Sequence, residues 1–101
     1  MIRIPLTVTP TQTLAVTLAG QPCEIELRQN GPNMYFDLTV NGVNIVRTRV
    51  VRNKQLLLLD AKYKGFSGDF FFNDTQGDTQ PDYLQLDSRY LLYYVEAGEL
   101  P

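Results

Sequence analysis

The chain has 101 residues, 44% of them hydrophobic, 20% charged, and a net charge of −2. This composition gives one globular β domain over residues 1–101, large enough to bury a core without disulfide or metal support. It excludes wholesale disorder and a globally basic nucleic-acid binder, and the absence of histidine excludes a Ser-His-Asp triad, a Cys-His pair and every His-based metal site.

From the N-terminus, Met1–Pro10 carries Pro5 and Pro10 and no long apolar stretch, so no export signal is expected. Thr13–Leu18 alternates, with Leu14, Val16 and Leu18 on one side. Ala19-Gly20-Gln21-Pro22 is a turn signal. In Cys23–Arg28 the apolar Cys23, Ile25 and Leu27 alternate with Glu24, Glu26 and Arg28. Period two of this kind marks strands with one buried and one wet face. The single Cys23 is then a small core residue or a thiol kept reduced; it has no partner for a disulfide.

Asn30-Gly31-Pro32-Asn33 is the next turn, and Phe36, Leu38 and Val40 alternate with Tyr35, Asp37 and Thr39. Asn41-Gly42 follows, the strongest short hairpin signal, because both residues accept positive φ in a type I′ turn. That turn sets Val40 opposite Val43 and places Val43 and Ile45 on the core face. The pattern then slips by one to Val46, Thr48 and Val50, which requires a bulge near Ile45–Val46 or cover on both sides.

Gln55–Asp60, with four consecutive leucines, reads as a strand covered on both faces. Phe66–Phe72 reads as another, Asn73–Asp82 as a polar loop, Asp82–Ser88 as at most a helical turn, and Arg89–Glu96 as the closing strand. The fold class is all-β: a small antiparallel barrel or sandwich of about seven strands with at most one short helical turn. The longest apolar runs are too short to cross a bilayer, so no membrane partner is expected.

Charge is unevenly spread. Residues 47–64 hold Arg47, Arg49, Arg52, Lys54, Lys62 and Lys64 against Asp60, a net of +5. Residues 69–101 hold Asp69, Asp74, Asp78, Asp82, Asp87, Glu96 and Glu99 against Arg89, a net of −6. Internal pairing accounts for this, and so does an interface in which the basic part of one copy meets the acidic part of the next. Phe70-Phe71-Phe72 and Tyr93-Tyr94 are consecutive, so one member of each set must leave the core face.

Chemical motifs are few. Asp74, Gln76 and Asp78 have the spacing that starts a calcium loop, but Thr79 stands where glycine is required and Gln85 where the acidic ligand belongs. No spacing selects a carboxylate pair for glycoside chemistry, and Gly65 and Gly68 are not followed by the Gly-Lys-Ser/Thr of a phosphate loop. No catalytic residue, cofactor or metal is expected, and the chain is not read as an enzyme. The basic stretch with Tyr63 and Phe66 leaves one alternative, an OB-like barrel binding single-stranded nucleic acid; the bland counterpart is a basic edge that deters strand pairing.

Across about ninety residues the motif order resembles a known family. It comprises Ile4-Pro5-Leu6, Gln12 with Leu14, Val16 and Leu18, and Gly20-Gln21-Pro22-Cys23 with Ile25 and Leu27. The hairpin Tyr35–Gly42 follows, then Gly65-Phe66 with Gly68-Asp69, Asp74-Thr75-Gln76-Gly77 and Pro81-Asp82-Tyr83. It ends on Leu86, Ser88-Arg89-Tyr90 and Leu92-Tyr93-Tyr94. This order is similar to that of the small baseplate plug proteins of contractile-tailed phages, the cyanophage-type plug. The family pattern carries a glycine before the Ser-Arg pair, where this chain has Asp87, and the charged stretch around Arg49–Lys54 is particular to this sequence.

The resemblance implies a structural virion component in the tail baseplate, assembled in the host cytoplasm. Its implied partners are hub, spike and tail tube initiator proteins, with copies of itself in a symmetric ring as a further contact; nucleic acid is not expected. Expected contacts are Arg47, Arg49, Arg52 and Lys54 on the basic side and Asp74, Asp78 and Asp82 on the acidic side. Phe71, Tyr93 and Tyr94 are the expected aromatic anchors.

Overall fold

The computed structural model describes residues 2–58, 66–96 and 98. Alternating sequence gives β structure almost throughout: β1 Ile2–Ile4, β2 Thr11–Leu18, β3 Gln21–Asn30, β4 Asn33–Val40, β5 Val43–Val50, β6 Asp69–Asp74 and β7 Tyr90–Val95. One 3-10 turn, Tyr83–Gln85, lies inside the span where a helical turn was expected. The strands form two antiparallel sheets, one in the order β2-β3-β4-β5 and the other β1-β7-β6. They pack as an open sandwich and do not close into a barrel.

The four-stranded sheet is a meander held by three two-residue turns. Ala19-Gly20 and Asn41-Gly42 have φ of +50° and +74°, and +53° and +76°, the two left-handed residues of a type I′ turn. The Asn41-Gly42 turn pairs Val40 with Val43 as expected, but Val43 is 60% exposed and not on the core face. It sits beside the turn at the sheet margin. The bulge expected near Ile45–Val46 is present. Thr39 pairs with Asn44 and Leu38 with Val46, so Ile45 is the extra residue, and both Ile45 and Val46 are buried. A second irregularity follows between Val46 and Arg49, where Thr48 has φ +52°. The Asp37 carboxylate meets it by accepting from the Thr48 N–H at 2.8 Å and from Arg28 Nη2 at 2.7 Å.

The core lies between the sheets. Ile25, Leu27, Phe36 and Leu38 of the larger sheet face Phe70, Phe72, Leu92 and Tyr94 of the smaller, each 1% exposed or less. Phe36 and Phe70 join the sheets with ring centroids 5.3 Å apart, and Phe66 and Tyr94 pack on Phe70 at 5.8 and 5.4 Å. Cys23 is buried in this core, and burial pushes its thiol pKa up.

The strand expected over Gln55–Asp60 is not formed by its described part. After Val51, whose N–H still donates to Met34 of β4, residues 53–58 run as an irregular strap along β6. The Lys54 N–H donates to the Phe72 carbonyl at 2.7 Å and the Leu57 N–H to the Phe70 carbonyl at 2.9 Å. The donors are three residues apart and the acceptors two, and among the described residues the strap's strand-type pairing is limited to the isolated bridge of Asn53 with Phe72. Leu57 and Leu58 still enter the core. The irregular backbone finds a side-chain partner: the buried Asp69 carboxylate accepts from the Leu58 N–H at 2.8 Å and the Phe70 N–H at 2.6 Å. Leu59, Asp60, Lys62, Tyr63, Lys64 and Gly65 lie outside the described residues. The count of seven strands is met by β1, a three-residue strand that pairs with β7.

Candidate interaction surfaces

Strand alternation decides the aromatic anchors. Phe70 and Phe72 point into the core, so Phe71 points out; Leu92 and Tyr94 point in, so Tyr93 points out. Phe71 and Tyr93 are opposite in register and stack at 5.4 Å with an interplanar angle of 25°. Arg3 continues the row on the other side of Tyr93. Tyr94 does not join them. It is 0% exposed, and its Oη donates to the Ser67 carbonyl at 2.6 Å. The expectation of Tyr94 as a contact anchor is corrected: it is a core residue with a satisfied hydroxyl.

The acidic residues are largely used inside the chain. Asp74 is buried, with its carboxylate at the centre of the β6–β7 end. Arg89 binds it in bidentate fashion, Nε to Oδ1 at 2.7 Å and Nη2 to Oδ2 at 3.0 Å. The backbone N–H groups of Gln76 and Thr79 and the Thr79 hydroxyl donate to it at 2.9 Å each. Arg89 first, and these further donors, hold the Asp74 carboxyl well below the usual carboxylate range against the opposing effect of burial. Asp74 also raises the pKa of Arg89. The expectation of Asp74 as an outward contact is corrected accordingly. Asp82 caps the 3-10 turn, accepting from the Leu84 N–H at 2.8 Å.

Asp78 is 82% exposed in its side chain, but its partner is Lys54, whose Nζ lies 2.9 Å from Oδ1. One expected basic contact therefore meets one expected acidic contact within the same chain. Asn53 reinforces the junction: its N–H donates to Gln80 Oε1 and its Oδ1 accepts from the Asp74 N–H, both at 2.7 Å. Arg52 Nη1 reaches Asn33 Oδ1 at 3.4 Å and the Val51 carbonyl at 3.1 Å. Among the described residues, Lys54–Asp78 is the one ion pair that joins the basic stretch to the acidic one.

Arg47 and Arg49 differ. They lie on β5, at the edge of the larger sheet, and neither side chain makes a hydrogen bond or ion pair with any described residue. Arg47 borders an open polar basin of about 390 Å³ on the outer sheet face, which Glu24, Glu26, Arg28 and Asp37 also line. Among the described residues no group of acids, cysteines and histidines has metal-site geometry.

Three features escaped sequence reasoning. The Asp74–Arg89 centre joins residues fifteen apart, although both stand in the quoted motifs. Gly68 has φ +106°, and a Cβ there would lie 2.6 Å from the Tyr94 ring and from the Val95 carbonyl oxygen. Asp87, in place of the glycine that the resemblance leads one to expect, adopts φ +64°. A tight turn forms here: the Asp87 N–H donates to the Tyr90 carbonyl at 2.9 Å, and Arg3 Nη2 donates to the Asp87 carbonyl at 2.8 Å. Aspartate is among the few residues that tolerate this conformation.

A comparison with curated proteins gives no match. The family model described as cyanophage baseplate Pam3 plug gp18 matches residues 1–97 of the 101. With nearly the whole sandwich inside that match, the chain belongs to the cyanophage baseplate plug family, a family of structural proteins of the phage tail baseplate.

Proposed function

We propose that this chain is a non-enzymatic plug that packs at the centre of a contractile tail baseplate, against hub, spike and tube-initiator proteins, after assembly in the host cytoplasm. The observation that carries this reading is the outward, half-buried Phe71–Tyr93 stack on the outer face of the smaller sheet. Aromatic side chains of this kind are favoured at the centres of protein interfaces. On the larger sheet, Arg47 and Arg49 carry charge that no described residue binds by hydrogen bond or ion pair, and such charges set orientation and encounter rate. Lys54, Arg52, Asp78 and Asp82 have internal partners and contribute by holding the strap and loop in place.

The test is assembly in cells with two double variants. Phe71→Ala with Tyr93→Ala, and Arg47→Glu with Arg49→Glu, should each yield a folded chain that is lost from purified tails. Normal incorporation of the aromatic double variant would remove the proposed docking face. Normal incorporation of the charge-reversed variant would remove the basic contact.

A further inference from the structure

The two sheets end in four edge strands, and three of them are closed to further pairing. β5 is broken by two register shifts and carries Arg47 and Arg49. β1 has three residues and is followed by Pro5. β6 is covered by the strap through the Lys54 and Leu57 amides. β2 has none of these devices. It runs eight residues, Thr-Gln-Thr-Leu-Ala-Val-Thr-Leu, in unbroken register with β3, with no charge, no proline and no bulge. A long, regular, uncharged edge is a template for another strand.

The phase of the ladder shows which groups are open. The Gln29 N–H donates to the Pro10 carbonyl at 2.7 Å, and the register continues as Thr11 to Arg28 and Gln12 to Leu27. Even-numbered residues therefore bond to β3, and odd-numbered ones direct N–H and C=O to the open side. The Thr11 carbonyl is taken by the Thr9 hydroxyl at 3.3 Å. Thr13, Ala15 and Thr17 keep theirs unpaired among the described residues.

We propose that β2 pairs antiparallel with β2 of a second copy of this chain, about a two-fold axis through Ala15. In that register β2 is complementary to itself. Thr13 would face Thr17, Ala15 would face Ala15, and Leu14 would face Val16, extending the apolar inner face over two side chains now only partly buried. This register uses the three residues with open groups, forms about six backbone hydrogen bonds at two per narrow pair, and places no like charges opposite one another. It joins the two larger sheets into one of eight strands and does not depend on the baseplate reading.

The test is mass in solution by light scattering over a concentration series. The unsubstituted chain should show twice 11.5 kDa. Ala15→Lys and Ala15→Glu should each be monomeric, and their equimolar mixture should recover the dimer. Ala15→Pro removes an outward N–H while leaving the β2–β3 bonds in place, and should also be monomeric. Hydrogen exchange reads the same contact without substitution: the Thr13, Ala15 and Thr17 amides should slow as concentration rises. A native chain that stays monomeric, a dimer that survives the Ala15 substitutions, or unprotected amides in the dimer would each overturn the pairing. A monomeric chain whose Ala15→Pro variant is excluded from tails would assign the edge to a strand of another protein.

Discussion

Phe71 and Tyr93 stack across neighbouring strands at 5.4 Å on the outer face, one residue away from Phe70 and Tyr94, which pack at the same separation inside the core. Adjacent aromatics thus have opposite environments, set by the alternation of the strand. Truncating the outer pair should cost little stability, since a cross-strand aromatic pair contributes about 0.5–1.5 kcal/mol beyond its area. Tyr94→Ala empties a buried ring position and should cost about 3–5 kcal/mol. Chemical denaturation of Tyr93→Ala and Tyr94→Ala side by side measures the contrast; equal losses would mean that Tyr93 also belongs to the core.

Gly68 should not accept a side chain. A Cβ at 2.6 Å from both Tyr94 and the Val95 carbonyl forces movement of buried ring or backbone, and positive φ adds strain. Gly68→Ala should lower stability by about 1–3 kcal/mol, the range of core overpacking. A thermal melt within a degree of the native chain would show that the Gly68–Tyr94 contact relaxes freely.

Acid should weaken the β6–β7 end. Asp74 has its carboxyl lowered in the folded chain, chiefly by Arg89. Its stabilising contribution is therefore whole above the unfolded carboxyl pKa of about 3.9 and is lost as the pH falls below that toward the folded value. The native chain should outlast Asp74→Asn in urea at pH 7, and the gap should shrink steadily below about pH 4. A gap independent of pH would mean that the carboxylate charge is not what Arg89 reads.

Asp87 occupies a left-handed position held by Arg3. Asp87→Gly keeps the carbonyl that Arg3 binds and relieves the backbone, so stability should stay within about 0.5 kcal/mol of native, the lost surface pair having a value of that order. Asp87→Ala adds the left-handed cost without the local hydrogen bonding of aspartate and should be lower by about 1 kcal/mol. Equal stability of the two variants would contradict a strained turn.

The hairpins were legible because their turns and alternation agree. Asn41-Gly42 fixed the β4–β5 turn, and the slip after Ile45 revealed the bulge. Four consecutive leucines misled, since an apolar run has no period; the strap is set by long-range bonds to β6 and by the Asp69 carboxylate, neither visible locally. β1 is only three residues, too short to show a pattern. The same limit applied to the charges. Composition gave the asymmetry, but the Lys54–Asp78 and Arg89–Asp74 pairs depend on the tertiary approach of the strap, loop and β7. Tyr93 and Tyr94 could be separated only once the core side of β7 was known.

The most direct measurement is a pull-down of the tagged chain from cells producing the tail, with its partners quantified by mass spectrometry. A baseplate plug should bring down hub, spike and tube-initiator chains at a fixed ratio. Recovery of the chain alone, or with nucleic acid and its processing proteins, would contradict that account.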